Sequence, residues 1–572
     1  MEKVKKLKEF FKSEKIDGYI ISKNDEFFCE YVPSHNDRLS HITNFTGSFG
    51  FALILKKRNY LFVDGRYTLQ AKNQSGKYFK IFTIPQKIPS EILKNKDLII
   101  GFDSKLFTKK MLNTFFGKNS CRLMPIKKNL VDKIWKRKIK KKINKFYSLP
   151  NYSVGFDYVD KVKKVVSFIK KKNADYQFIT ASENNAWLLN IRGRDTAYTP
   201  IPFSYILINK NKKIKFFCDL KKINGGFRGK FNNIEFVQIE LVGKVLSNIN
   251  KKKFIIDKDT CSYYFENIIL KNNTIISLND PIYKFKAIKS KGEIQNIKKA
   301  HIYDGAALTK YLFWLKKNFY KKKITEMSAS KKLFKFRKRN SKFKFLSFPT
   351  ISGTGPNGAI IHYKATKKTN RQLKVGDIYL CDSGGQYEFG TTDVTRTISL
   401  QNSNNRIKNI FTRVLKGHLA VANYEFKKKS FGSEIDKLAR KYLKQINLDY
   451  AHGTGHGVGY FLNVHEGPHA ISRFNKINFE EGMIVSNEPG YYENKKFGIR
   501  IENLIYVKKE KGKKCFDNLT MVPIDKDLID QSILNKKEKK WLNNYHSEVF
   551  KKLKNQMNNK EILELQKACL AI

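Results

Sequence analysis

The run Asp377-Ile-Tyr-Leu-Cys-Asp-Ser-Gly-Gly385, followed by Gly390-Thr-Thr-Asp-Val-Thr-Arg-Thr397, decides how this chain is read. Both stretches are rich in β-branched or aliphatic residues, and the glycines between them can turn, so the pattern predicts two paired strands. Pairing would bring Asp382 and Asp393 side by side. A second pair repeats the logic: Met483-Ile-Val-Ser-Asn-Glu488, a Pro-Gly turn, then Gly498-Ile-Arg-Ile-Glu-Asn503. That arrangement sets Glu488 and Glu502 on neighbouring strands. Between the pairs lies His452-Gly-Thr-Gly-His-Gly-Val-Gly459, running on to Asn463-Val-His-Glu-Gly-Pro468. Four of the ten histidines fall within residues 452–469.

Taken singly, each feature has a structural explanation. An Asp ending a strand forms turns, a lone His is usually hydrogen-bonded, and Glu-Pro-Gly is commonly a turn. Taken together they are harder to dismiss. Four carboxylates at apolar strand ends repel one another, and burying them without partners costs several kcal/mol each. Two divalent cations remove the problem by balancing four negative charges. Hard oxygen ligands with one imidazole suit manganese, cobalt or zinc better than copper(I) or an iron–sulfur cluster.

The rest of the chain narrows the class. With 112 Lys and Arg against 51 Asp and Glu, its net charge is +61 over 572 residues. The excess is uneven. Lys127 to Lys145 carries ten basic residues and one acid, Asp132, whereas residues 451–504 carry five basic residues and six acids. A basic excess that avoids the region of interest argues for a solvated lysine surface and against specific nucleic-acid binding. Hydrophobic residues make up 41% and aromatics 13%, which excludes global disorder. No apolar run approaches the ~18 residues of a membrane span. Met1 to Asp25 mixes charges with Val4, Leu7, Phe10 and Phe11 at helical spacing and lacks a secretory pattern. The expectation is a cytoplasmic protein. Seven dispersed cysteines, an odd number, agree with isolated thiols in a reducing compartment.

Three sections are expected. Residues 1–128 show a helix, a strand at Gly18–Ser22, and a hairpin of Phe49–Leu55 with Tyr60–Val63, an α/β pattern. A basic linker follows at 127–150, with a helix starting near Ile134 and Trp135. The second section, 129–284, loosely repeats the first: Asn185-Ala-Trp-Leu-Leu-Asn-Ile-Arg-Gly193 before its hairpin parallels Leu39-Ser-His-Ile-Thr-Asn-Phe-Thr-Gly47. The third, 285–572, opens on a long amphipathic helix from about Lys286 to Leu315. Thr325 caps a second helix beginning at Glu326, and a C-terminal extension runs from about 515.

Asp382, Asp393, His456, Glu488 and Glu502, in that order, resemble the five ligands of the dinuclear-metal pita-bread peptidases. The nearer resemblance is to the aminopeptidase P (Xaa-Pro aminopeptidase) family in its long three-domain form. It is carried also by Leu346-Ser-Phe-Pro-Thr-Ile-Ser-Gly-Thr-Gly-Pro-Asn-Gly-Ala-Ile-Ile-His-Tyr363, Asp382-Ser-Gly-Gly-Gln-Tyr387 and Phe461-Leu-Asn-Val-His-Glu-Gly-Pro468. Thr46-Gly-Ser48, Asp64-Gly-Arg-Tyr67 and Trp541-Leu-Asn-Asn-Tyr-His546 add matches near both ends.

The resemblance implies a mixed α/β chain: two creatinase-like N-terminal α/β domains, then a pita-bread catalytic domain. It implies two divalent metal ions, manganese first with zinc or cobalt as alternatives. The implied reaction is hydrolysis of the N-terminal Xaa-Pro bond of peptides by a metal-bridging hydroxide. Asp393 and Glu502 would bridge both metals, Asp382 would hold one, and His456 with Glu488 would complete the other. Glu488 would also shuttle the proton, and His465 would stabilise the oxyanion. His362, His452 and Arg500 would line the substrate cleft, with Arg66 reaching its mouth. His362 and His465 thus stand among both the catalytic and the substrate-binding residues. The partners implied are peptides with proline in the second position and a second copy of the chain. Two alternatives are a prolidase-type dipeptidase sharing the ligands, and a non-catalytic pita-bread module that binds protein, histones or RNA.

Overall fold

In a computed structural model, residues 1–117, 121–137, 143–231 and 233–572 are described. The chain divides into two compact units, one of residues 1–151 with 156–282, the other of residues 152–155 with 283–572.

The first unit contains two six-stranded mixed sheets. Numbered by order in the chain, the strands of each sheet lie in the spatial order 4-3-2-1-5-6. The sense of every pairing matches as well: strand 1 runs antiparallel to 2, and 2 to 3, while 3–4, 1–5 and 5–6 are parallel. The faint repeat in the sequence is therefore a repeat of topology. Central strands read as continuous apolar runs because both faces are covered. Gly18–Ser22 is buried throughout, and helix Glu2–Ser13 packs Val4, Leu7 and Phe11 onto its sheet. The stretch expected as a linker is partly helical. Helix Leu130–Ile134, capped by Asn129, ends where a helix was expected to begin. Asn129 sits just ahead of two apolar residues that bury, so the cap lies earlier than the Ile-Trp pair suggested. Residues 138–142, the middle of that basic stretch, lie outside the described residues.

The short helix Ile282–Ala287 leads into the second unit, whose helix Lys291–Asn318 begins a few residues later than expected, at a capping box in which Ser290 and Glu293 bond each other's backbone. Helix Glu326–Lys338 follows, with Thr325 as its cap. Leu308, Tyr311 and Leu312 of the first helix and Leu333 of the second pack against Tyr379, Cys381, Val394 and Ile398. That apolar face belongs to the antiparallel sheet Ile351–Thr354, Ile378–Ser383, Val394–Ser399. Helix Asn405–Ala422 covers Ile499 and Ile501 through Phe411, Val414 and Leu415. A five-stranded sheet in the order Glu466–Ile471, Gly455–Gly457, Ile484–Asn487, Asn503–Glu510, Lys513–Asn518 completes the scaffold.

One local expectation is corrected. Pro489-Gly490 is not the hairpin turn: Gly490–Glu493 is itself a strand paired with Phe497–Arg500. The reversal falls at residues 494–496, where Lys495 takes φ 61°. Among the described residues no helix is long and apolar enough to cross a membrane.

Candidate metal centre

Register brings the first two carboxylates together. Asp382 lies opposite Thr395 in the antiparallel pair Ile378–Ser383 and Val394–Ser399, so Asp393 falls just ahead of the partner strand. The second pair follows the same rule. Asn487 is paired with Asn503, which places Glu488 one residue past one strand and Glu502 one residue before its neighbour. His456 lies in Gly455–Gly457, whose glycines permit close packing: a Cβ on Gly455 would come within 1.8 Å of the Ser486 carbonyl oxygen.

The side chains converge. One ligand atom each from Asp393, His456 and Glu502 lies within 4.8 Å of the others. His456 Nε2 is 3.6 Å from Asp393 Oδ2 and 3.4 Å from Glu488 Oε1. Its Nδ1 lies 3.0 Å from the Gly457 carbonyl, so Nδ1 carries the proton and Nε2 offers its lone pair to the cluster. Thr395 Oγ1 donates to Glu502 Oε2 at 2.7 Å, and Ser486 Oγ donates to Glu488 Oε1 at 3.1 Å. Arg500 Nη2 donates to Asp382 Oδ2 at 2.6 Å.

The electrostatics are those of a site short of positive charge. Asp382, Asp393 and Glu502 are all buried. Burial first, then Glu502, Asp382 and Glu488, pushes the Asp393 carboxyl well above its ordinary range. Burial followed by Asp382 and Glu488 does the same to Glu502. Glu488 is raised to about 7, burial and Asp382 outweighing the pull of Arg500 and His465. Asp382 Oδ1 is buried with no hydrogen-bond partner. Four clustered carboxylates, one guanidinium and an orphaned oxygen fit a pair of divalent cations by charge and by ligand type.

The other expected site residues divide between the two units. His465 stands edge-on to His456, ring centroids 4.2 Å apart. His452 Nδ1 is 4.0 Å from Glu488 Oε2, and its Nε2 meets the Tyr492 hydroxyl at 2.9 Å. Arg500 is buried, with Nε also donating to Thr395 Oγ1 and Nη1 to the Tyr492 hydroxyl. His362 is half-buried, on the segment after the turn Gly355–Ala359. Arg66 belongs to the first unit, where its guanidinium forks onto the Asp64 carboxylate with a shortest contact of 2.7 Å.

Pattern reading passed over several participants. Tyr492 links Arg500 to His452, and Thr395 links Arg500 to Glu502; as hydroxyls within strands they look like ordinary sheet formers. Glu466, next to His465, is fully buried between the ammonium groups of Lys286 at 3.0 Å and Lys289 at 2.7 Å. Burial alone would raise its pKa, yet the two lysines more than offset this and hold it below the usual carboxylate range. In so basic a chain neither lysine carries a signal in the sequence.

Comparison with known proteins gives a consistent picture. Residues 3–134 and 137–293 match creatinase/prolidase N-terminal domains, residues 295–509 match metallopeptidase family M24, and residues 514–572 match the C-terminal region of that peptidase family. The chain is 38% identical over 589 residues to a probable Xaa-Pro aminopeptidase P of Laccaria bicolor, covering 96% of this chain and 90% of that one. It superposes with TM-score 0.93 and 30% identity on a crystal structure of X-prolyl aminopeptidase from Caenorhabditis elegans, described as a cytosolic enzyme with a di-nuclear active site. That match covers 100% of this chain and 99% of the other. A Xaa-Pro dipeptidase from Bacillus anthracis, 25% identical with TM-score 0.54, accounts for only 64% of the chain although 99% of its own length is matched.

Proposed function

Because the chain belongs to the Xaa-Pro aminopeptidase branch of metallopeptidase family M24, we propose that it removes the N-terminal residue from peptides whose second residue is proline. The reading rests on one observation above others: Asp393, His456 and Glu502 converge within 4.8 Å, with Glu488 3.4 Å from His456. In this reading Asp382, Asp393, His456, Glu488 and Glu502 hold two divalent ions, with manganese as the first candidate and zinc or cobalt accepting the same donors. When bound, such ions supply Lewis acidity and lower the pKa of an attacking water.

The chain's own groups do the rest. Glu488, 3.4 Å from His456 Nε2, takes the proton released by water and returns it to the departing proline nitrogen. His465, beside His456, donates to the oxygen that becomes negative as the carbonyl carbon turns tetrahedral. Arg500 holds one oxygen of Asp382, and the other is buried with no hydrogen-bond partner. His362 and His452 line the cleft. An Xaa-Pro nitrogen carries no N–H and sits in a rigid ring, so recognition must come from a shaped wall of histidines and apolar atoms.

We infer likewise that two creatinase-like domains at 1–128 and 129–284 precede a catalytic domain at 285–572, and that the protein acts in the cytoplasm as a pair of identical chains. Offering an Xaa-Pro-Yaa tripeptide and the matching Xaa-Pro dipeptide separates the aminopeptidase from a dipeptidase. Release of the first residue from the tripeptide is expected; cleavage of the dipeptide alone would reject the reading.

A further inference from the structure

Glu326 begins helix Glu326–Lys338, where an acidic residue in the first turn is ordinary. Its carboxylate is not used that way. The helix start is already served by Thr325, whose side chain accepts from Ser328 N. The Glu326 carboxylate, in a residue with no exposed surface, instead accepts from four groups on the segment 354–371. These are Thr354 N at 2.8 Å, Asn357 Nδ2 at 3.1 and 3.0 Å, the Tyr363 hydroxyl at 2.7 Å, and Arg371 N at 2.9 Å. One carboxylate therefore pins a chain segment at four points, and His362 lies between the second and the third.

That segment is joined to the metal-centre scaffold on its other side. Ile351–Thr354 pairs with Ile378–Ser383 so that Ile351 lies opposite Asp382. The turn Gly355–Ala359 meets the strand of Arg500 backbone to backbone: a Cβ on Gly498 would lie 1.8 Å from the Gly358 carbonyl oxygen. Backbone packing ties the segment to that strand, and a second hold ties it to helix Glu326–Lys338. Glu326 supplies that hold.

We propose that Glu326 is the positioning residue for His362, fixing the segment 354–371 so that the imidazole stands at a set place in the substrate cleft. The inference rests on the reading of His362 as a cleft residue. In this role Glu326 acts through the loop, on which all of its named acceptor contacts fall.

The test is a double-mutant cycle in the metal-loaded, full-length protein, reading kcat and KM on one Xaa-Pro-Yaa peptide together with metal content and Tm. Glu326→Gln keeps the shape but turns an acceptor into a donor that faces other donors. Its kcat/KM should fall by about 10- to 10²-fold, the scale of a misplaced active-site group, with metal content unchanged. Introduced into His362→Ala, the same change should cost almost nothing further, because groups that act as a unit are not additive. Losses that multiply in full, or metal content that falls along with activity, would overturn the positioning role. Wild-type kinetics for His362→Ala would reject His362 as a cleft residue, and the positioning role with it. Should Glu326→Gln not fold, Tyr363→Phe removes one of the four donors, and its smaller loss must likewise vanish in the His362→Ala background.

Discussion

Arg500 donates to Asp382 Oδ2 across 2.6 Å, while the other oxygen of the same carboxylate is buried with no partner. The guanidinium thus holds one oxygen of the carboxylate and leaves the other free to accept a cation. Thr395 and Tyr492 hold the guanidinium in turn. Arg500→Lys keeps the charge but loses the fork that reaches three partners at once. Metal affinity, measured by competition with a chelator, should weaken by about 10- to 100-fold, as for other changes to groups that orient ligands. Unchanged affinity would mean that Asp382 needs no such support.

Asp393→Asn and His362→Ala should fail differently. The first removes a charge from the centre of the carboxylate cluster and should lower metal content. The second lies on the pinned loop and should retain metal while losing turnover. Elemental analysis alongside kcat separates them, and equal metal content with equal residual activity would contradict both assignments.

His465→Ala tests the oxyanion role. Removing one donor to the developing charge should lower kcat by about 10²- to 10³-fold, with KM and metal content nearly intact. A rise in KM at constant kcat would make His465 a ground-state clamp on proline instead.

The raised carboxyls give the metal-free protein a defined pH dependence. Glu488 moves from an ordinary 4.5 to about 7 on burial, so the folded chain binds this proton more tightly than the unfolded one. That contribution is fully present below pH 4.5 and is lost as pH rises through about 7, at up to about 1.4 kcal/mol per pH unit for one proton. Asp393 and Glu502 shift in the same direction. Metal ions bind the deprotonated carboxylates, so the rise in Tm on adding manganese should be larger at pH 7.5 than at pH 5.5. An equal rise at both pH values would show that these carboxylates do not receive the metal.

Much of this arrangement was legible because chemistry-bearing residues stand out against their surroundings. Asp382, Asp393, Glu488 and Glu502 interrupt apolar strands, and the histidines crowd a glycine-rich run, so their convergence could be argued from pairing alone. The cap at Thr325 was equally plain. What stayed hidden lacks a local signature. Lys286 and Lys289 look like any of the many lysines until both reach Glu466, nearly 180 residues away. Thr395 and Tyr492 are good strand residues whatever else they do. Glu326 reads as a helix-start acid, since its partners up to 45 residues on are fixed by tertiary packing. Pro-Gly misled because it is turn-forming in isolation, whereas here Gly490 enters a strand.

The central claim is that this chain's hydrolysis of Xaa-Pro-Yaa peptides depends on a dinuclear metal centre built from the buried carboxylates and His456. Its most direct test is to strip the protein with a chelator, titrate manganese back, and follow release of the first residue against metal bound. The account predicts no turnover in the stripped protein and recovery that levels off near about two ions per chain, the number needed to balance four carboxylates. Full turnover by metal-free protein would contradict it.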